Sequence, residues 1–268
     1  MVVELAFGDA PFEVPIECAN IIIRRRTNSV LWQKERLLNI GLSFLPPAET
    51  VAWIDADIVF ENEDWIAHAE RLLQQFEVVQ LFDVAALLDP AGEVEQVQNG
   101  TAYEKALAEK QVIGGHSGFA WAARAEILRK HGFYDKDIAG SGDFTMACAM
   151  WNLWDAWGGL EWRELFFTSE HLADMDIWGK SFYEDVRGNV SYVPGKAFHL
   201  WHGRQEDRDY LNRYIGVKNE GYDPATDIRI AENGCWEWAS DKPELHRYVK
   251  EYFDARKEGA KRNFAVGI

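Results

Sequence analysis

Positive charge is scarce in this sequence. Its 28 lysines and arginines face 44 aspartates and glutamates, for a formal charge of −16 and a pI near 4.9. Nucleic-acid backbones need basic surface, so this balance argues against a nucleic-acid partner, and equally against a membrane surface held by charge alone. A nucleotide diphosphate remains compatible, provided a divalent cation and a few local bases outweigh the global field. Cysteine is also sparse. Cys18, Cys148 and Cys235 lie far apart and are odd in number, which fits a reducing compartment and neither a disulfide frame nor a zinc site. No apolar run reaches the length of a membrane span, no secretory leader is expected, and there is no internal repeat or low-complexity tract. The sequons at Asn99 and Asn189 therefore carry little weight, and a cytoplasmic protein without a transmembrane segment is expected.

What is present is enough apolar residue, 47%, to bury a substantial core in 268 residues. The length suits one domain built in two halves, 1–110 and 111–268, better than two separate domains. Strand patterns at Val2–Phe7, Asn20–Arg25 and Val51–Ile54 alternate with helical ones at Trp32–Leu42 and Trp65–Phe76, and Val78–Phe82 follows as a strand. Asp89 to about Gln111 is polar and turn-rich and reads as a mobile connection. Phe119–Ala123 reads as a strand, Glu126–Lys130 as a short helix, and another helix starts near Phe144. Val190–Val193 and Lys196–Trp201 look like a strand pair around Pro194-Gly195, and a charged helix spans Pro243–Lys261. Alternation of this kind predicts an α/β fold around a mostly parallel sheet. The first strand has no crossover helix behind it, which implies that roughly 25–35 residues, one βα unit, are missing ahead of it.

Five segments could carry chemistry. Asp55-Ala56-Asp57 closes the third strand; carboxylates two apart there either point the same way or flank a turn, and they suit a hard cation. The plainer reading is a polar strand-to-helix turn. Gly140-Ser141-Gly142-Asp143 precedes a helix, where Asp143 is either a general base or simply the N-cap. His199 and His202, followed by Gly203, Arg204 and Arg208, could supply an imidazole ligand and phosphate-binding cations, or be ordinary surface residues. Gly114–Arg124, with Gly115, His116, Gly118 and Trp121, could form a sugar-sized hollow with an indole floor, or be a buried strand with a tight entry turn. Lys34 and Asn39 lie on the first helix and could face a nucleotide, although a Lys34–Glu35 pair on a solvated helix explains the charges as well.

The order of these segments is more specific than any one of them. Over nearly the whole chain it resembles the GT-A glycosyltransferases, especially bacterial and phage-type members related to the galactosyl- and N-acetylgalactosaminyltransferases. The resemblance implies a GT-A-like sheet flanked by helices and transfer of a sugar, with inversion, from a UDP-hexose or UDP-N-acetylhexosamine to a glycan or other hydroxyl acceptor. It implies Mn²⁺ or Mg²⁺ on Asp57 and His202, with Asp55 sharing the metal or touching ribose and His199 the second choice of imidazole. Asp143 becomes the base; Gly115, His116, Gly118, Trp121 and Gly142 become the wall where sugar and acceptor meet. Lys34, Asn39, Arg204 and Arg208 fall to the nucleotide and its phosphates. In that family the opening strand and its loop hold the base, usually uracil, and this chain begins where the second strand should be. Two rival readings stand beside it: a remnant that binds carbohydrate without catalysis, and a metal-dependent phosphohydrolase or nucleotidyltransferase.

Overall fold

A computed structural model describes residues 1–107, 113–154, 160–203, 212–256 and 264–267. The first part of the chain forms β1 (Val2–Phe7), β2 (Ile22–Thr27), α1 (Lys34–Phe44), β3 (Thr50–Asp55), β4 (Ile58–Phe60), α2 (Trp65–Leu72), β5 (Val78–Gln80), β6 (Val84–Leu88), β7 (Val94–Asn99) and α3 (Thr101–Leu107). Next come β8 (Ala120–Arg124), α4 (Ala125–His131), α5 (Gly142–Trp151), α6 (Leu160–Phe166), α7 (Ser169–Val186), β9 (Val190–Tyr192) and β10 (Lys196–His199). The chain closes with α8 (Asn212–Asn219), β11 (Ile228–Ile230), β12 (Trp236–Trp238), α9 (Pro243–Ala255) and β13 (Phe264–Gly267). Among the described residues no helix is long and apolar enough to cross a membrane.

The fold is mixed α/β. Its main sheet has the order β2-β1-β13-β3-β8-β5-β9. Only β1–β2 and β5–β9 pair in parallel; β13 and β8 run against their neighbours. The sheet is therefore mixed, and the expectation of a mostly parallel one is not met. Strand alternation sorts its two faces. Val51 and Trp53 of β3 join Trp121 and Ala123 of β8 under α1, α4, α5 and α7. Ala52 and Ile54 face the opposite way, toward Ala120, Ala122 and α2. That second layer is completed by a smaller sheet of order β4-β10-β6-β7. A third cluster joins α8, α9 and the β11–β12 hairpin around Tyr222, Leu245 and Val249.

Two expectations need correcting, and one element has no counterpart among them. The segment after Asp89 is not a bare connection: β7 pairs with β6, and α3 follows. As an edge strand, β7 exposes Val94 and Val97 and shows no apolar alternation, so its pattern reads as a loop. Residues 108–112 of that segment lie outside the described ones. The strands flanking Pro194-Gly195 are not a pair. β9 runs beside β5 in the main sheet, whereas β10 lies between β4 and β6 in the smaller one. The long helix α7 buries a stripe of His171, Met175, Gly179, Phe182 and Val186, in which a histidine and a glycine interrupt the apolar pattern. Its start is signalled instead by Thr168, whose hydroxyl accepts the His171 amide at 3.2 Å.

Candidate metal centre and acid cluster

The chain leaves β3 at Asp55 and turns through Ala56-Asp57 into β4, so one aspartate ends the strand and the other lies in the turn that passes from one sheet to the other. Asp55 continues the Val51–Trp53 face and meets α1; Asp57 lies in the turn, next to the smaller sheet. β4 pairs antiparallel with β10 so that Ile58 stands opposite His199, and the Leu200 amide donates to the Asp57 carbonyl at 2.9 Å. This register brings the histidine segment onto Asp57. His202 Nε2 is 2.8 Å and His199 Nε2 3.4 Å from Asp57 Oδ2, and the two imidazole nitrogens are 3.0 Å apart.

One ligand atom from each of Asp57, His199 and His202 thus falls within 4.8 Å of the other two. Asp57 Oδ1 is buried and accepts no hydrogen bond among the described residues. A carboxylate oxygen buried without a donor is costly unless a cation or proton satisfies it. Burial pushes the Asp57 carboxyl up, but the hydrogen bond from His202 and the charges of His199 and His202 more than offset this and hold it below the ordinary aspartate value. The residues fit a divalent cation, and their two imidazoles suit Mn²⁺ better than Mg²⁺, which prefers oxygen ligands throughout.

A second cluster lies on the other side of the same turn. Lys34, in the first turn of α1, puts its ammonium 2.6 Å from Asp55 Oδ1 and 2.9 Å from Asp143 Oδ2. Burial lowers its proton affinity, yet the charges of Asp143 and Asp55 win and raise it well above the usual lysine value. Burial pushes Asp55 up to about 6, against the pull of Lys34. The Lys34 side chain is 10% exposed, whereas both aspartates keep 28%, so a ligand can reach the carboxylates and not the lysine stem.

His116 and Phe119 stand between the clusters. The Phe119 ring stacks on His199 with centroids 4.9 Å apart and lies 3.9 Å from the His116 ring. Its carbonyl accepts the Asp55 amide at 2.8 Å. Phe119 has φ 77°, a left-handed conformation that a bulky residue adopts only when its surroundings over-determine it. Gly118 sits against His116 and Asp143, where a methyl group would lie 3.2 Å from one ring and 3.4 Å from the other residue's Oδ2.

The residues expected from the sequence divide accordingly. Asp57, His199 and His202 converge, as do Lys34, Asp55 and Asp143, with His116 and Gly118 adjoining. Asp143 is not the N-cap; that position is Ser141, and Asp143 lies within the first helical turn. Asn39 is a correction: its amide is spent on Phe133 and Asp135, bracing α1 against the segment after α4. Trp121 is another. It is 2% exposed, opposite Trp53 in the sheet, and its indole N–H donates to the Ser117 carbonyl, leaving no face for a sugar. Gly115 has φ 70° and packs against the Asn99 and Gly100 backbone, so its role is the turn itself. Gly142 packs on Glu35. Arg204 and Arg208 lie outside the described residues.

Lys34 and Glu35 are both buried, which overturns the solvated-helix reading, and Glu35 was not singled out as a site residue. The signal was available: Lys34 is three and four residues ahead of Leu37 and Leu38, and Glu35 three and seven ahead of Leu38 and Leu42, all on the apolar face. No family model matches this sequence, and neither a curated protein nor a solved structure matches it.

Proposed function

We propose that this chain is a metal-dependent glycosyltransferase that takes a sugar from a nucleoside diphosphate, UDP being the first donor to test, to an acceptor hydroxyl. The observation that supports it most is the convergence of Asp57, His199 and His202 at the end of β3, where one buried oxygen of Asp57 has no donor among the described residues. Those three residues would hold the cation. A bound divalent ion supplies Lewis-acid and electrostatic help to a departing diphosphate. Asp143 would accept the proton of the attacking hydroxyl as its oxygen bonds to the anomeric carbon. The bond from that carbon to the diphosphate oxygen breaks, and its electron pair leaves with the diphosphate. A base positioned in this way contributes about 10²–10⁴-fold. Lys34 holds the Asp143 and Asp55 carboxylates together and so orients the base relative to the metal side of the turn.

The test is titration calorimetry of UDP with Mn²⁺ and with EDTA, on the wild type and on Asp57→Ala. Binding that needs Mn²⁺ and is lost in the variant supports the reading, and turnover of a UDP-sugar panel then identifies the donor. UDP binding indifferent to EDTA and to Asp57→Ala would remove the metal-bound nucleotide from consideration. Sugar binding without nucleotide or metal would favour the carbohydrate-binding remnant, and release of inorganic phosphate or pyrophosphate without sugar transfer would favour the phosphohydrolase or nucleotidyltransferase.

A further inference from the structure

Helix α1 brings a second acid to the place where Asp143 enters α5. Glu35 is 5% exposed, and its Oε2 accepts the Trp32 indole N–H at 2.7 Å. Its carboxyl group lies directly against Gly142: a methyl group at that position would fall 2.3 Å from Glu35 Oε1 and from the carboxyl carbon. Only a residue without a Cβ fits there, and the next residue is Asp143. We propose that Glu35 is a positioning residue for Asp143, its carboxyl group being the seat on which the Gly142–Asp143 peptide rests. The inference builds on the reading of Asp143 as the base.

The turn needs such a seat. Gly140 has φ 93° and Ser141 φ 103°, so two successive residues are left-handed, and Ser141 makes no side-chain cap bond to the helix it precedes. For Ser141 this conformation carries strain that persists only where neighbours hold it. Two clamps are present. From α8, Arg213 donates to Ser141 Oγ at 3.2 Å and packs on Gly140. From the α1 side, the Trp32 ring lies against Gly140 while its N–H holds Glu35 under Gly142. Removing the Glu35 carboxyl frees Gly142 on that side and leaves Trp32 without this acceptor.

The protonation of Glu35 follows from the same surroundings. Burial and the charge of Asp143 push it up to about 8, against the pull of Lys34, with Asp137 adding to the rise. Among the described residues the charged groups facing it are Lys34 on its own helix, Asp143 on α5 and Asp137 in the preceding turn. Arg213 stands behind Gly140, and Arg256 lies over the Trp32 ring at 5.2 Å. At neutral pH Glu35 is thus a neutral acid, and Lys34 is left to Asp55 and Asp143. Above about pH 8 a new negative charge lies under Gly142 and competes for Lys34, so the seat loosens.

Carboxyl ¹³C NMR of protein labelled in aspartate and glutamate tests this without any substrate. The Glu35 resonance is expected to titrate near pH 8, with the Asp143 carboxyl and the Trp32 indole N–H shifting in the same step. In Glu35→Gln that step disappears from both reporters. A Glu35 that titrates in the ordinary carboxylate range, or an Asp143 resonance blind to it, overturns the proposal even if the chain proves to be a transferase. If UDP binding fails, the NMR result still stands on its own. With a donor in hand, Glu35→Ala is expected to lower kcat by about 10²-fold at unchanged KM. Glu35→Gln should recover most of that loss, whereas a wild-type kcat in Glu35→Ala refutes the role.

Discussion

Replacing Lys34 with methionine keeps most of the side-chain volume and removes the cation that bridges two carboxylates. The ammonium touches Asp55 Oδ1 at 2.6 Å and Asp143 Oδ2 at 2.9 Å, so those oxygens are no more than about 5.5 Å apart. At the effective dielectric of about 20 that suits such sites, two charges at that separation repel by about 3 kcal/mol. Two attractions are lost as well, but the ammonium's own desolvation cost, several kcal/mol, disappears with it. Losing one partner of a fully buried pair costs about 3–5 kcal/mol, and the 28% exposure of both aspartates puts this site at the low end. We expect Lys34→Met to destabilise the fold by about 3 kcal/mol at pH 8. The loss should shrink toward pH 5. Without Lys34, a carboxyl of the folded state has its pKa raised by the other, so the folded chain binds more protons than the unfolded one and gains stability as pH falls. Urea denaturation of both proteins at pH 5 and pH 8 measures this, and groups that titrate alike in the two proteins cancel in the difference. A penalty below about 1 kcal/mol at pH 8, or the same penalty at both pH values, would refute the charge argument.

Three further outcomes follow from named contacts. Glu35 rises from 4.5 to about 8 on folding, so the native state holds its proton where the unfolded state has lost it; the stability carried by that proton falls by a few kcal/mol between those pH values. The urea midpoint of the wild type should therefore fall relative to that of Glu35→Gln as pH rises through that window, and a constant difference would show that Glu35 titrates normally. Gly142→Ala forces a methyl group into the Glu35 carboxyl and should cost about 1–3 kcal/mol, part of which Glu35→Ala recovers in the double variant; simple additivity of the two would deny the contact. Mn²⁺ should raise the melting temperature of the wild type, equivalent to about 2.7 kcal/mol at a hundredfold excess over Kd, with no effect on His202→Ala. An unchanged Mn²⁺ shift in His202→Ala would take that residue out of the site.

Much of the framework was legible because it rests on local periodicity. β1, β3 and β5 read as apolar runs, α1 as an amphipathic stripe, and α9 begins at Pro243 in the first-turn position that tolerates proline. The turn after β3 and the helix entry at Gly142-Asp143 carried their chemistry in the residue types themselves. The elements that escaped the sequence reading were β7, an edge strand with polar faces, and α7, whose buried stripe includes a histidine and a glycine.

The sequence by itself determined where many of the strands and helices recur and which carboxylates and imidazoles end them, since period, turn chemistry and capping are properties of a few consecutive residues. The tertiary structure alone decided what those ends meet. Asp57 reaches His199 because β4 pairs with β10 across some 140 residues of chain, in a register no local pattern encodes. Lys34 reaches Asp143, 109 residues away, because α1 and the α5 turn pack on one face of the sheet. Trp121, which composition alone could assign equally to a sugar or to the core, fell on the buried face of β8, and there its indole N–H is already satisfied. Hydrogen-bond partners and packing neighbours come from distant segments, so only the assembled sheet could say which of the candidate side chains share a site.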